Sequence, residues 1–282
     1  NDRRVYFMFS TQEIYTVVTY AVGDTKAGTK MGKLQLKSTS DDSLLNCILW
    51  EETLNRLDEK LFRCGNELRI VSGSFNEKYN NCLVSALELI KEAKIGLDEQ
   101  QQKEYYDQIM KYISNMQDDK LKGFLRDYFE TYEHKIKVSP AAKMMHHNYL
   151  GGLLVHTLEC LQIAETLLPV CNGNIDKDIV YAACIMHDMG KIFEYTIDEE
   201  SGLIDYAPNF RQEWISHSQY GYSLCMMHGF KTVARMIAAH HGRSDWGALI
   251  DLSEKDLEPI VYILHHIDDL SAKFGKISIT DI

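Results

Sequence analysis

Between residues 14 and 90, apolar positions come in short runs that either alternate with polar ones or are rich in β-branched and aromatic residues. This is the pattern of strands. "IYTVVTYAV" precedes the turn-rich "GDTKAGTKMG", "KLQLKS" alternates strictly, and "LLNCILW" follows the "SDDS" turn. A helical patch, "EETLNRLDEKLFR", then leads past Gly65 to two more strands, "ELRIVSGSF" and "NCLVSALELI", separated by "NEKYN". Three strands, a helix and two strands is the order of an OB-fold barrel.

Helical spacing begins in the next segment, at Ile109, Tyr112, Ile113 and Met116 and again at Leu121, Phe124, Leu125 and Phe129, until Pro140 interrupts it. From residue 141 onward the pattern is mostly helical. The expected fold class is therefore α+β and multidomain: a five-stranded OB-fold β-barrel over 1–92, a helical linker over 93–140 that packs on the second domain, and that second, all-α domain over 141–282.

Within the helical part, "YAACIMHDMGKIFEY" poses a physical problem. The run from Ile179 to Met186 is apolar all round, which marks a core helix, yet it ends in the ionisable pair His187 and Asp188. Burying such a pair costs several kcal/mol unless something compensates. In "GGLLVHTLECLQIAETLLPV" a helical wheel sets Glu159, Gln162 and Glu165 on one side and His156 on the other, with Cys160, Ile163, Ala164 and Leu167. His217 follows in "WISHSQYG", and His240 and His241 end an amphipathic helix before the capping Gly242. The last helix, opened by Pro259, has a buried side expected at Ile260, Ile263, Leu264, Ile267, Leu270 and Phe274. Asp268 falls at the edge of that side and Asp269 well away from it. A divalent cation answers the problem, because imidazole nitrogens and carboxylate oxygens suit manganese, iron, zinc, nickel or magnesium and the charge makes the buried carboxylates tolerable. No thiolate belongs to the expected set, which argues against a structural zinc site.

Composition narrows the setting. The chain of 282 residues is 45% hydrophobic and 25% charged, and no segment approaches the run of about 20 apolar residues that a membrane span needs. The opening "NDRRVYFMFS" has neither the order of a secretion signal nor an initiator Met, which reads as a trimmed start. Seven cysteines are scattered without a CxxC pair, as reduced packing residues of a cytoplasmic protein would be. Of the net charge of −11, residues 93–282 carry nearly all, with 18 Lys+Arg against 28 Asp+Glu, so a broad phosphate-binding face is not expected there. In the barrel, Tyr20, Trp50, Phe75 and Tyr79 are candidate platforms for stacking bases.

His156, the adjacent His187 and Asp188, and then Asp268, in this order and spacing, resemble the HD-domain phosphohydrolases, all-helical metalloenzymes that cleave phosphoester bonds. His217 and His240/His241 resemble the additional ligands of the two-metal subset. "HHNYLGGLLVHT", "IMHDMGKIFE", "ISH", "AAHHGRSDWG" and "LHHIDDLSAK" together are similar to the YhaM-like 3′→5′ exoribonucleases, which join an OB-fold to an HD domain. The resemblance is strong over about 141–275 and loose over the barrel.

It implies one metal on His156, His187, Asp188 and Asp268, and a second, bridged by Asp188, on His217 and either His240 or His241. Manganese is the first choice of metal. Asp188 and Lys191 would be the catalytic pair, with Lys191 facing the scissile phosphate. His146, His147 and Arg243 in the helical part, and Trp50 and Tyr79 in the barrel, are candidates for substrate contact. The implied substrate is single-stranded RNA or DNA, with no membrane partner and with homo-oligomerisation left open. Two other readings remain: a phosphohydrolase of a small or cyclic nucleotide, and a non-catalytic OB-fold binding module.

Overall fold

The structure, a computed structural model, describes residues 10–143, 147–171 and 175–274. The chain divides into two compact units, Asn1–Ile95 and Gly96–Ile282.

The first unit is a closed five-stranded barrel of OB type. Its strands are β1 (Ile14–Asp24), β2 (Lys30–Ser38), β3 (Leu44–Trp50), β4 (Glu67–Asn76) and β5 (Asn81–Lys91), in the order β1-β2-β3-β5-β4. All pairs are antiparallel except β3 and β5, where Cys47 lies opposite Cys82, and closure comes from β1 meeting β4 at Ile14 and Arg69. The period-2 pattern places Leu34 and Leu36 of β2, Cys47 and Leu49 of β3, and Leu68 and Ile70 of β4 inside. Bulges in β1 between Val17 and Thr19 and in β4 around Ser72 and Gly73 bend the strands enough to close. A Cβ at Gly73 would stand 2.8 Å from the Leu83 carbonyl oxygen, so only glycine allows that approach.

The patch expected to be one helix is two short turns, α1 (Glu51–Leu54) and a 3-10 turn (Glu59–Phe62). Its job is to plug the barrel: Phe62 is buried, and Tyr20 stacks on it at 4.2 Å between ring centroids. Tyr20 and Phe75 thus serve the core, whereas Trp50 and Tyr79 are 49% and 65% exposed.

The second unit is helical: α2 (Glu99–Ser114), α3 (Asp119–Thr131), α4 (Glu133–Val138), α5 (Gly152–Leu167), α6 (Lys177–Met186), α7 (Lys191–Glu194), α8 (Phe210–Glu213), α9 (His217–Met227), α10 (Lys231–Ala239) and α11 (Ile260–Phe274). A hairpin of β6 (Tyr195–Ile197) and β7 (Ile204–Tyr206), which the helical pattern did not anticipate, interrupts it. Ile109 and Ile113 of α2 and Leu125 and Phe129 of α3 share one core with Leu153, Leu154 and Leu161 of α5 and Ile185 and Met186 of α6. The Asp178 carboxylate accepts the backbone N–H groups of Gln117 and Asp118 at 2.5 and 2.9 Å, which ties the start of α3 to α6.

Among the described residues one helix, Gly152–Val170, is by length and composition long and apolar enough to cross a membrane, although polar residues interrupt its apolar run. Its first turns, however, form the centre of this unit's core, with Leu153, Leu154, Leu158 and Leu161 buried. On α11, Leu264 and Ile267 are buried, but Leu270 and Phe274 are exposed, the latter at 75%. The apolar stripe there extends beyond the part of the helix that packs.

Candidate metal centre

Each candidate side chain reaches the middle of the helical unit by a local device. His156 projects inward from the second turn of α5. His187 caps α6, and Asp188 occupies the turn into α7. Gly190 completes that turn, and a Cβ there would lie 2.5 Å from the Cα of His217, so the glycine lets the start of α9 approach the turn. Ser216 caps α9 by accepting the N–H of Gln219, which leaves His217 as its first residue. His240 caps α10, and Gly242, at φ +80°, turns the chain away after His241.

These residues converge. The Nε2 of His156 is 3.2 Å from that of His187, 3.4 Å from Asp188 Oδ2 and 3.2 Å from Asp268 Oδ1. On the other side of the same carboxylate, Asp188 Oδ1 lies 3.5 Å from His217 Nε2 and 3.9 Å from His240 Nε2, and His217 Nε2 is 3.2 Å from His241 Nε2. The donor atoms of His217, His240 and His241 all fall within 4.8 Å of one another, so neither member of the adjacent pair stands aside. Asp269 instead accepts from the Lys273 ammonium at 2.9 Å, at the surface.

Hydrogen bonding decides which nitrogen of each ring carries the proton. His187 Nδ1 donates to the Cys184 carbonyl at 2.9 Å, His240 Nδ1 to the Ile237 carbonyl at 2.6 Å, and His217 Nδ1 to the Glu194 carboxylate at 2.6 Å. His156 Nδ1 donates to Ser271 Oγ at 2.9 Å, and that hydroxyl donates to Glu159. A neutral imidazole with its proton on Nδ1 presents a bare lone pair at Nε2. Two such lone pairs 3.2 Å apart, as in His156 and His187, repel unless a cation or proton lies between them. Asp188 Oδ1 and His240 Nε2 are buried and have no hydrogen-bond partner. Nδ1 engaged and Nε2 free is how metal-binding histidines are oriented.

The electrostatics point the same way. Burial pushes His187 and His240 below the ordinary imidazole pKa and His241 down to about 4, with neighbouring rings adding to the effect at His240 and His241, so these rings are neutral at pH 7. Burial would raise Asp188, but the Lys191 ammonium, 2.6 Å from its Oδ2, and the surrounding histidines outweigh it and hold the carboxyl well below its usual range. Burial would raise Asp268 as well, but the neighbouring His156, His187 and His240 imidazoles outweigh it and lower the carboxyl. Neutral nitrogens around two ionised carboxylates form a donor set that fits divalent cations.

Several participants were missed in the sequence. Glu159, placed outward by the wheel with Gln162 and Glu165, is only 8% exposed and faces the interior, whereas the other two are exposed. Glu194 and Ser271 lie one hydrogen bond behind the cluster. Cys160, one helical turn after His156, brings its sulfur to 3.8 Å from His156 Nε2 and groups with His156 and His187; burial, with Cys184, Asp268 and Asp188 nearby, keeps its thiol protonated. Its position four residues after His156 was the available clue.

The remaining candidates occupy varied surroundings. His147 is buried behind His156, with its Nε2 donating to Glu159 at 3.0 Å. Arg243 is exposed, forks onto Asp245 at 2.9 and 3.0 Å, and lies over the Trp246 ring. Trp50 and Tyr79 stand on the barrel. Tyr79 borders a cleft of about 230 Å³ with Thr19, Lys33, Gln35, Asn46 and Asn81. His146 lies outside the described residues.

Comparison with known proteins agrees with this geometry. Residues 153–273 match the family model of the HD domain, and this range contains all seven converging histidines and aspartates. A second model, named for a helicase, matches residues 68–177, which start inside the barrel and stop before His187, and so cover neither unit. Among curated proteins, the chain is similar to the 3′-5′ exoribonuclease YhaM of Geobacillus sp. (29% identical over 183 residues, 61% of this chain and 52% of the relative). It is also similar to those of Bacillus pumilus (28%, 60% and 54%) and Bacillus subtilis (28%, 61% and 54%). The chain spans about half the length of these relatives. No solved structure matches it.

Proposed function

We propose, from the HD domain that residues 153–273 match, that this chain is a metal-dependent phosphodiesterase that shortens single-stranded RNA from its 3′ end, using two divalent cations. The observation that carries this reading is the arrangement around Asp188: one carboxylate turns Oδ2 toward His156 and His187 and Oδ1 toward His217 and His240, with the partnerless Oδ1 and His240 Nε2 facing each other. His156, His187, Asp188 and Asp268 would hold one cation, and Asp188, His217, His240 and His241 the other. When bound, such cations polarise phosphoryl oxygens and make water acidic enough to attack near neutral pH.

The chain's own groups do the rest. The carbonyls of Cys184 and Ile237 and the carboxylate of Glu194 keep three ring protons on Nδ1. Lys191, held at Asp188, puts a positive charge where the phosphate's charge grows in the transition state. On the barrel, Trp50 and Tyr79 offer exposed rings for stacking, and Lys33 beside Tyr79 offers a charge for the backbone. The RNA specificity rests on the similarity to the YhaM exoribonucleases.

A second reading has an observation in its favour: with 18 basic against 28 acidic residues over 93–282, the helical unit suits a small nucleotide better than a polymer. Incubation with manganese and a 5′-labelled single strand, beside a nucleotide panel, separates the two. A ladder shortening from the 3′ end supports the exonuclease. Turnover of nucleotides alone overturns it.

A further inference from the structure

Behind His156 runs a directed chain of hydrogen bonds that the proposed hydrolysis does not use. The Tyr149 hydroxyl donates to His147 Nδ1 at 3.3 Å, and His147 Nε2 donates to Glu159 Oε2 at 3.0 Å. The same oxygen accepts the Ser271 hydroxyl at 2.8 Å, and Ser271 Oγ in turn accepts from His156 Nδ1 at 2.9 Å. A carboxylate only accepts, so His147 carries a proton on Nε2, and in the neutral ring its Nδ1 accepts from the tyrosine hydroxyl. Ser271 has spent its proton on Glu159, so it can only accept from His156. The result is a His156 ring whose Nε2 lone pair faces His187, Asp188 and Asp268.

The positions repeat a spacing. Glu159 follows His156 by three residues on α5, and Ser271 follows Asp268 by three on α11, so each helix presents one candidate ligand and one supporting residue on the same face. The Ser271–Glu159 hydrogen bond therefore joins the two helices beside the point where His156 and Asp268 meet. Burying a carboxylate at 8% exposure costs several kcal/mol without partners. His147 supplies one, and it does so from a left-handed backbone at φ +57°, uncommon for a residue other than glycine. The carbonyl of the same residue leaves no space for a Cβ at Gly152, which would come within 2.0 Å of it. Such strain persists where the surrounding structure over-determines it.

We infer that Glu159 and Ser271 are positioning residues that fix the tautomer and orientation of His156, and that His147 and Tyr149 hold Glu159 for this task. The inference rests on the reading of His156 as a metal ligand. It is tested on the chelator-stripped 282-residue chain by calorimetric titration with Mn²⁺ and by the visible spectrum of the Co²⁺ form. Thermal unfolding in chelator monitors the fold.

Ser271→Ala and Glu159→Met are each expected to weaken Mn²⁺ binding about 10- to 100-fold and to alter the Co²⁺ band. The double variant should be little worse than either single, because both break one path. Ser271→Thr, which keeps the hydroxyl, should bind nearly as tightly as wild type. If Glu159→Met does not fold, the Ala and Thr variants at Ser271 still decide. Weakened binding in His156→Ala beside wild-type binding in Ser271→Ala overturns the positioning role while leaving the ligand reading intact. Wild-type Mn²⁺ binding in His156→Ala overturns both.

Discussion

The barrel buries Leu34, Leu36, Leu49, Leu68 and Ile70 and turns Trp50 and Tyr79 to solvent, whereas the helical unit buries His156, His187, Asp188 and His240 among Ala183, Ile185, Met186 and Ile237. In the first case the candidate contact residues sit on an apolar core and can be altered without touching it. In the second, the polar groups are part of the core, so every atom needs a partner and the fold and the site depend on each other. The difference appears in the supports. Trp50 and Tyr79 need only the strand end and the turn that carry them, while His187, His217 and His240 each have a dedicated acceptor for the second ring nitrogen.

This contrast can be broken most severely at Asp188. Asp188→Ala removes the carboxylate that both donor sets share, and turnover of a labelled single strand should fall below detection with metal content well under wild type, while circular dichroism keeps its helical signal. Wild-type turnover in that variant would sink the shared-site reading.

Next come the adjacent aspartates. Asp268→Asn keeps the shape but removes charge beside His156, so Mn²⁺ affinity and rate should each fall about 10- to 100-fold. Asp269→Asn touches only the exposed Lys273 pair and should be nearly silent. The reverse result would place the inward face of α11 on the wrong side.

On the barrel, Trp50→Ala and Tyr79→Ala should each weaken oligonucleotide binding by about 1 kcal/mol, roughly fivefold, with the melting temperature unchanged. An altered melting temperature with unaltered binding would make these rings structural and erase the contrast.

A separate effect, on stability rather than on binding, is in pH. In metal-free protein His187 and His240 take up a proton at a lower pH than the unfolded chain, which does so at about 6.5, and His241 does so only near 4. These lowered values mean that stability is fully present above about pH 6.5 and is lost as pH falls from there toward 4. For His241 alone, going to pH 5 costs about 2 kcal/mol, or roughly 4–8 °C in melting temperature for a unit of this size. A melting temperature that stays flat between about pH 7.5 and 5 in chelator would contradict it.

The barrel's strand order, most of the helices and the candidate metal ligands were legible in the chain, through local period, residue type and family resemblance, whereas the β6–β7 hairpin was not. The wheel phase of α11 separated Asp268 from Asp269, and the structure has the first 3.2 Å from His156 Nε2 and the second at Lys273. The same device misplaced Glu159, since a wheel assigns a carboxylate to solvent and knows nothing of His147 or Ser271, 12 residues before and 112 after it. It also overextended the buried side of α11 to Leu270 and Phe274, whose burial depends on what packs there and not on their own spacing.

Which of Tyr20, Trp50, Phe75 and Tyr79 are free, whether His240 or His241 joins the cluster, and which ring nitrogen faces inward were decided only by the tertiary structure. Periodicity reports which face of an element is apolar. Convergence of side chains from α5, α6, α9, α10 and α11 on one carboxylate depends on how those elements pack, and packing is settled by atoms far apart in the chain.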